Sequence, residues 1–275
     1  MATCLDALPA RMAGLSTRRT MPYPPAELAV IALVMTIGSV VQGAVGFASG
    51  LLGVPLLILY GFPLLDATVI NFVSTSVQNI AGAMHLSTHL QTRDVLWPTV
   101  FRCLGLPAGI AALHAAGAID ADRVQQIIGA ILLGSILLLG GLRLPPRDHL
   151  HPVWTISAFL VSGFLMGFAS IGGAPMVFYV NSLTWSAAKS RGFLFLCSSL
   201  LMPLMGVMLI VQFGAEIAPP ALAALIVMPP LILGLVLGLK LGHRMDKRRF
   251  RRLTYALLTV IAIVALLSPL IAKTQ

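Results

Sequence analysis

Charge is what this sequence has least of. Asp, Glu, Lys and Arg make up 10% of its 275 residues, where an average soluble domain carries roughly 25%. With 58% of residues hydrophobic and a mean hydropathy of +0.95, there is too little polar surface to cover a soluble globule. An integral membrane protein is implied. Acidic residues are scarcest. All nine, from Asp6 to Asp246, fall in loops or at the ends of apolar segments. No carboxylate lies deep enough for the usual intramembrane carriage of Na⁺ or H⁺, and a proton route would fall to His85, His89 or His114. Cysteine is nearly absent as well. Cys4, Cys103 and Cys197 form no CxxC pair, which argues against a disulfide framework or a zinc knuckle. There is no HExxH and no deep cluster of carboxylates and histidines, so the alternative of a membrane-embedded enzyme or biogenesis factor finds no metal or acid–base chemistry to stand on. No metal and no cofactor are expected.

The cations are unevenly placed. Seven of the eighteen lie between Lys240 and Arg252, so this stretch supplies most of the net charge of +9. A basic cluster beside an apolar segment marks a cytoplasmic loop under the positive-inside rule, not a nucleic-acid surface. The first 26 residues hold Arg11, Arg18, Arg19 and four prolines. They contain no signal-peptide core and read as a mobile leader.

A window of about 20 residues divides the rest into eight hydrophobic segments. They run from Leu28 to Leu65, Ala67 to Leu86, Val95 to Ala118, Val124 to Leu142, Val153 to Leu183, Phe193 to Phe213, Ile217 to Leu241 and Leu253 to Ile271. An all-α polytopic bundle in a single membrane domain follows. Segment 1 is too long: as one helix it would reach about 57 Å against a hydrocarbon core of about 30 Å. Its middle holds Gly43, Gly46, Gly50, Gly53 and Pro55, and segment 5 repeats the pattern with Gly163, Gly167, Gly172, Gly173 and Pro175. Both segments are expected to break or re-enter.

The breaks share the tetrapeptide GFAS, at 46–49 and again at 167–170. Ile119-Asp120 with Arg123 is likewise answered by Met245-Asp246 with Arg249. The chain reads as an internal duplication, repeat 1 over 27–142 and repeat 2 over 153–273, a transporter signature. If segments 1 and 5 each make two half-crossings, each repeat has five elements and the repeats are inverted. That arrangement keeps most cations inside, though it puts Arg18 and Arg19 outside.

Backbone freed by a break cannot face lipid and survives where it lines a cavity. Pro55 and Pro175 suit the first turns of half-helices, whose free N–H groups and dipoles would make an anion site. Segment 2 places Asn71, Ser74, Thr75 and Gln78 on one face, and segment 6 places Arg191, Phe195, Ser198, Ser199 and Met202 on another. Both faces could instead be interhelical glue. Arg191 and Arg102 are the cations nearest the apolar zone. A buried arginine usually marks a substrate path, and its fork suits oxyanions. For Arg102 a carbonyl partner or snorkelling is an equal alternative. Glycines 105, 109, 234 and 238 suit close helix packing and permit a homodimer. A negative interior favours anion exit by about 2.3 kcal/mol per charge per 100 mV, so an exporter needs no coupling ion.

The run QGAVGFASGLLGVPLL, Gln42 to Leu57, resembles the first glycine-rich motif of the TauE/SafE sulfite/anion exporter family, also called TSUP. SGFLMGFASIGGAPMVFYV, Ser162 to Val180, resembles its second, a Gly-Gly-x-Pro turn followed by a tyrosine, here Gly172, Gly173, Pro175 and Tyr179. Arg191 sits where members commonly place an arginine. The resemblance runs from about Leu28 onwards. It implies a multi-pass inner-membrane transporter of small anions, sulfite and organosulfonates foremost. Ala48 and Ser170 stand where glycine is common, so Ser49 and Ser170 add hydroxyl donors. The ion is then sulfite or something bulkier such as sulfoacetate. Taken together, an alternating-access exporter is expected. Gln42, Gly46, Ser49, Gly53, Asn71, Thr75 and Gln78 face Ser170, Gly172, Gly173, Arg191, Ser198 and Ser199 around a midplane site. An anion channel or an importer is the alternative.

Overall fold

The computed structural model describes residues 23–86, 92–117 and 150–246, with single positions 123, 126, 127, 130, 248, 249, 252 and 256. Apart from those single positions, segments 4 and 8 and most of the expected leader lie outside the described residues. The described chain is helical: α1 (Pro25–Val45), α2 (Ser49–Tyr60), α3 (Leu64–Leu86), α4 (Thr92–Ala116), α5 (Pro152–Ala169), α6 (Gly173–Asn181), α7 (Ala187–Phe213), a 3₁₀ turn (Gly214–Ile217), α8 (Ala218–Ile226) and α9 (Met228–His243). Among the described residues four stretches are long and apolar enough to cross a membrane: Pro25–Val45, Asp94–Ala116, Pro152–Ala169 and Ala187–Ile226. Large apolar side chains such as Leu33, Met84, Val211 and Leu233 stand exposed on the outside, as a lipid-facing surface requires.

Both long segments break at residues in the left-handed conformation. Gly46 closes α1 at φ +86°, its N–H donating to Gln42 O at 2.6 Å. Phe47 follows, then Ala48 at φ +95°, and α2 begins at Ser49. In the second break Ser170 takes the left-handed turn at φ +54°. Its N–H donates to Met166 O at 2.9 Å, the 5→1 bond of an αL helix end, and the next, from Ile171, to Leu165 O at 3.2 Å. α6 then begins at Gly173.

This geometry corrects the motif alignment. GFAS pairs Ser49 with Ser170, but the structure uses Gly46 and Ser170 as the left-handed caps, and Ser49 and Gly173 as the first residues of the following helices. The two motifs are therefore out of step with the breaks by three residues. Pro175 lies in the first turn of α6, whereas Pro55 lies inside α2 and does not start a half-helix. Segment 7 also departs from expectation. It is cut at Val227 into α8 and α9, because Pro229 and Pro230 lack the N–H groups that would continue the ladder from α8.

Two parallel helix pairs make the frame, and glycine sets their closeness. α5 lies along α4, where a Cβ on Gly105 or Gly109 would strike Leu160 O or Phe164 O, and one on Gly163 or Gly167 would strike Arg102 O or Leu106 O. α9 lies along α1 in the same manner: Gly234 against Thr36 O, Gly238 against Val40 O, Gly43 against Leu235 O, Gly242 against Ala44 O. Ser39 Oγ ties this pair by donating to Leu231 O at 2.7 Å. The small-residue faces that permitted a homodimer are thus occupied within one chain. α3 and α7 run antiparallel between the pairs, with Gly82 against the Phe195 ring and Gly206 facing Phe72.

One end of the bundle is closed by polar and aromatic contacts. Lys189 pairs with Asp94 at 2.9 Å and lies 4.3 Å over the Trp185 ring. Trp185 meets Tyr179 and Phe193 edge-on, at 6.0 and 5.3 Å between centroids. Near the start of α1, Tyr23 Oη donates to Asp66 Oδ2 at 2.6 Å, and burial pushes the Tyr23 phenol well above its usual range.

Gly238→Val should separate α9 from α1 and lower the thermal midpoint of purified protein, a cost of about 1–3 kcal/mol. Leu233→Ala, on the lipid-facing side of the same helix, should leave the midpoint near that of the wild type.

Candidate functional site

The two breaks meet. A Cβ on Gly50 would strike Ser170 O, and one on Gly173 would stand 3.1 Å from Phe47 Cβ. Asn71, from α3, joins them by donating Nδ2–H to Ser170 O at 3.0 Å. Between them lies a cavity of about 40 Å³, room for about three water molecules.

Its electrostatics follow from what happens to the backbone at each break. Several carbonyls are taken. Gln42 O accepts from Gly46 N–H, Gly43 O from Arg191 Nη2 at 2.6 Å, Ser170 O from Asn71, and Gly172 O from Ser162 Oγ at 2.6 Å. The donors at the first turns of α2 and α6 are not matched in this way. Gly50, Leu51 and Gly173 all line the cavity, in positions where a helix has no carbonyl of its own to offer. Both helix N-termini bring the positive end of a dipole. One donor is withdrawn: Ser49 N–H donates to Gln42 Oε1 at 3.0 Å, while Gln42 Nε2 donates to Asn79 Oδ1 at 2.8 Å. Gln42 therefore caps α2 from the helix before it.

Of the residues expected from sequence, Gln42, Gly46, Thr75, Ser170, Gly172, Gly173 and Ser198 line the cavity. Thr75 turns its hydroxyl back to Asn71 O at 2.7 Å. The Ser170 hydroxyl is buried and has no partner among the described residues. The rest lie around the cavity rather than on it. Ser49 packs its hydroxyl toward Gly38, Gly53 sits against the Met35 sulfur, and Ser199 donates to Phe195 O within its own helix at 2.9 Å. Gln78 is buried with neither end of its amide partnered. Arg191 is also off the wall: its Cα backs Gly46, and its guanidinium reaches between Gly43 and Gly242.

Two further polar residues stand on the wall, Asn79, which was not expected there, and Arg102, for which ligand contact and a carbonyl partner were equal alternatives. Asn79 follows Thr75 by one helical turn, a spacing that continues the polar face of α3. Arg102 is the only charged residue between Val95 and Ala118. Its isolation was the available signal. It is fully buried, with Nη1 donating to Cys197 O at 2.8 Å. Among the described residues no group of three or more His, Cys, Asp or Glu could hold a metal.

A polytopic helical membrane protein with two interrupted helices meeting at a donor-lined internal cavity has the build of a membrane transporter. Comparison with protein families agrees: residues 30–265 match the family described as Sulfite exporter TauE/SafE. The chain belongs to that family, a family of membrane sulfite/anion exporters. No curated protein and no solved structure matches it.

Gln42→Leu should strand the Ser49 N–H and the Asn79 amide, at a cost of about 1–3 kcal/mol seen as a lower thermal midpoint. Gln42→Glu keeps an acceptor for Ser49 and should recover part of that loss.

Proposed function

We propose that the chain is a secondary carrier exporting small sulfur oxyanions by alternating access, sulfite being the best fit. The observation that carries this reading is the meeting of the paired breaks, where the first turns of two helices bring their N–H donors to a common cavity. Such a site repels cations and suits an ion with several acceptor oxygens. A cavity of about 40 Å³ favours sulfite over sulfoacetate. Membership of the exporter family supports the direction, as does the membrane potential, which drives anions outward.

The two parallel glycine-packed pairs support an internal duplication. α1 heads the first half of the chain and packs on a helix of the second, and α5 heads the second half and packs on a helix of the first. We take the repeats as inverted, the protein as resident in the inner membrane, and the loop from Lys240 to Arg252 as cytoplasmic. The carrier is expected to work without metal or cofactor.

Counterflow in proteoliposomes with the potential clamped tests the reading. Sulfite should exchange saturably and faster than sulfoacetate, with chloride a poor substrate. Ser170→Ala should raise the half-saturation concentration about five-fold, the worth of one neutral hydrogen bond. Flux that grows linearly with concentration and shows no counterflow would make the protein a channel.

A further inference from the structure

We infer that Arg102 is the side chain that binds the anion, and that Arg191 is a positioning residue whose charge is answered within the protein. The inference deepens the carrier reading and rests on it for the class of ion.

The two arginines look alike in sequence and differ in surroundings. Each is almost wholly buried, which is costly for a cation unless something answers its charge. Among the described residues neither arginine has an ion pair with a carboxylate. Arg191 has another source of negative potential. Its Nη2 donates to Gly43 O in the last turn of α1, and its guanidinium fills the space that a Cβ on Gly242 would need, in the last turn of α9. Because α1 and α9 run parallel, two helix C-termini bear on this one guanidinium, each the negative end of a dipole. Its Nε has no acceptor, but that group is not on the cavity wall.

Arg102 has the opposite surroundings. Its one hydrogen bond goes from Nη1 to Cys197 O at 2.8 Å, a carbonyl in mid-helix with no net dipole end to offer. On its other side stands Gly172, at the start of α6, where a Cβ would come within 3.3 Å of Nη2. A guanidinium beside a helix N-terminus sets positive against positive. An anion lying between them satisfies both. The free edge suits that role: Nη1 is anchored to Cys197, Nε is buried without an acceptor, and Nε with Nη2 forms a two-pronged donor fork matched to two oxygens of one ion. The Ser170 hydroxyl, buried, unpartnered and on the same wall, supplies a further donor. A side chain at Gly172 would strike Ser162 O and Met166 Cβ before it met the guanidinium.

Binding can be read without transport, from the shift of thermal midpoint that sodium sulfite produces in purified full-length protein at constant ionic strength. Sulfite should stabilise the wild type. Arg102→Gln should raise the half-effect concentration roughly ten- to a hundredfold, since a charge-assisted pair is lost. Arg191→Gln should lower the midpoint in the absence of sulfite and change the half-effect concentration less than about threefold. The assignment is overturned if Arg102→Gln responds to sulfite as the wild type does. It is equally overturned if Arg191→Gln alone loses the response, or if sulfite leaves the wild-type midpoint unmoved. If Arg102→Gln does not fold, Arg102→Lys decides: a point charge cannot fill the two-pronged site, so wild-type affinity in that variant sinks the idea. A response that follows the expected pattern in protein without counterflow would remove the carrier reading and leave Arg102 as the anion ligand.

Discussion

Hydrocarbon supplies no hydrogen bonds, and every departure from helical backbone inside it must be answered by the protein itself. The two breaks show how this chain does so. At each, a left-handed residue folds an N–H group back onto the preceding turn, and side chains from other elements collect the carbonyls of Gly43, Ser170 and Gly172. The N–H groups at the start of the next helix have no carbonyl of that helix to take them.

Close approach makes this possible. Carbonyls of one helix touch glycine Cα atoms of its partner along both parallel pairs, and van der Waals contact takes over where the hydrophobic effect gives no drive between helices in lipid. With the pairs held this near, short side chains suffice to span from one element to another. Asn71 reaches Ser170, Ser162 reaches Gly172, and Ser39 reaches Leu231. Longer side chains carry the charge. Arg191 ties α7 to the ends of α1 and α9, while Arg102 spans from α4 to α7 and to the start of α6.

The breaks themselves were legible in the sequence, because a 38-residue run without charge cannot be one straight membrane helix and glycine marks the place to turn. The polar face of α3 was legible too, from spacing alone, and Thr75 lies where that spacing put it. What failed was register. GFAS occurs twice, but Gly46 is itself the left-handed cap whereas Gly167 lies inside α5 and leaves that duty to Ser170. A three-residue slip is close to one helical turn, so the same side chains still reach similar faces and the pattern gives no warning. The surroundings of the two arginines were not legible for a different reason. Arg191 has polar neighbours in sequence and Arg102 does not, but what answers a buried charge is decided by which helix ends pack around it. That is a tertiary fact, invisible to a window along the chain.

The crossed partnership of the helices also constrains how the molecule could move. Each tight pair draws one member from either half of the chain, so the protein cannot be parted between its N-terminal and C-terminal halves without tearing both pairs. The rigid units are interlocked hands rather than two neighbouring domains. α1 travels with α9 and α5 with α4, and any rocking takes place across the seam where α3 and α7 lie. The breaks sit on that seam, one at the end of α1 and one at the end of α5. A displacement of one unit against the other therefore changes the distance between the two helix N-termini directly, without a hinge of its own. Geometry alone would couple opening of the cavity to loss of its grip.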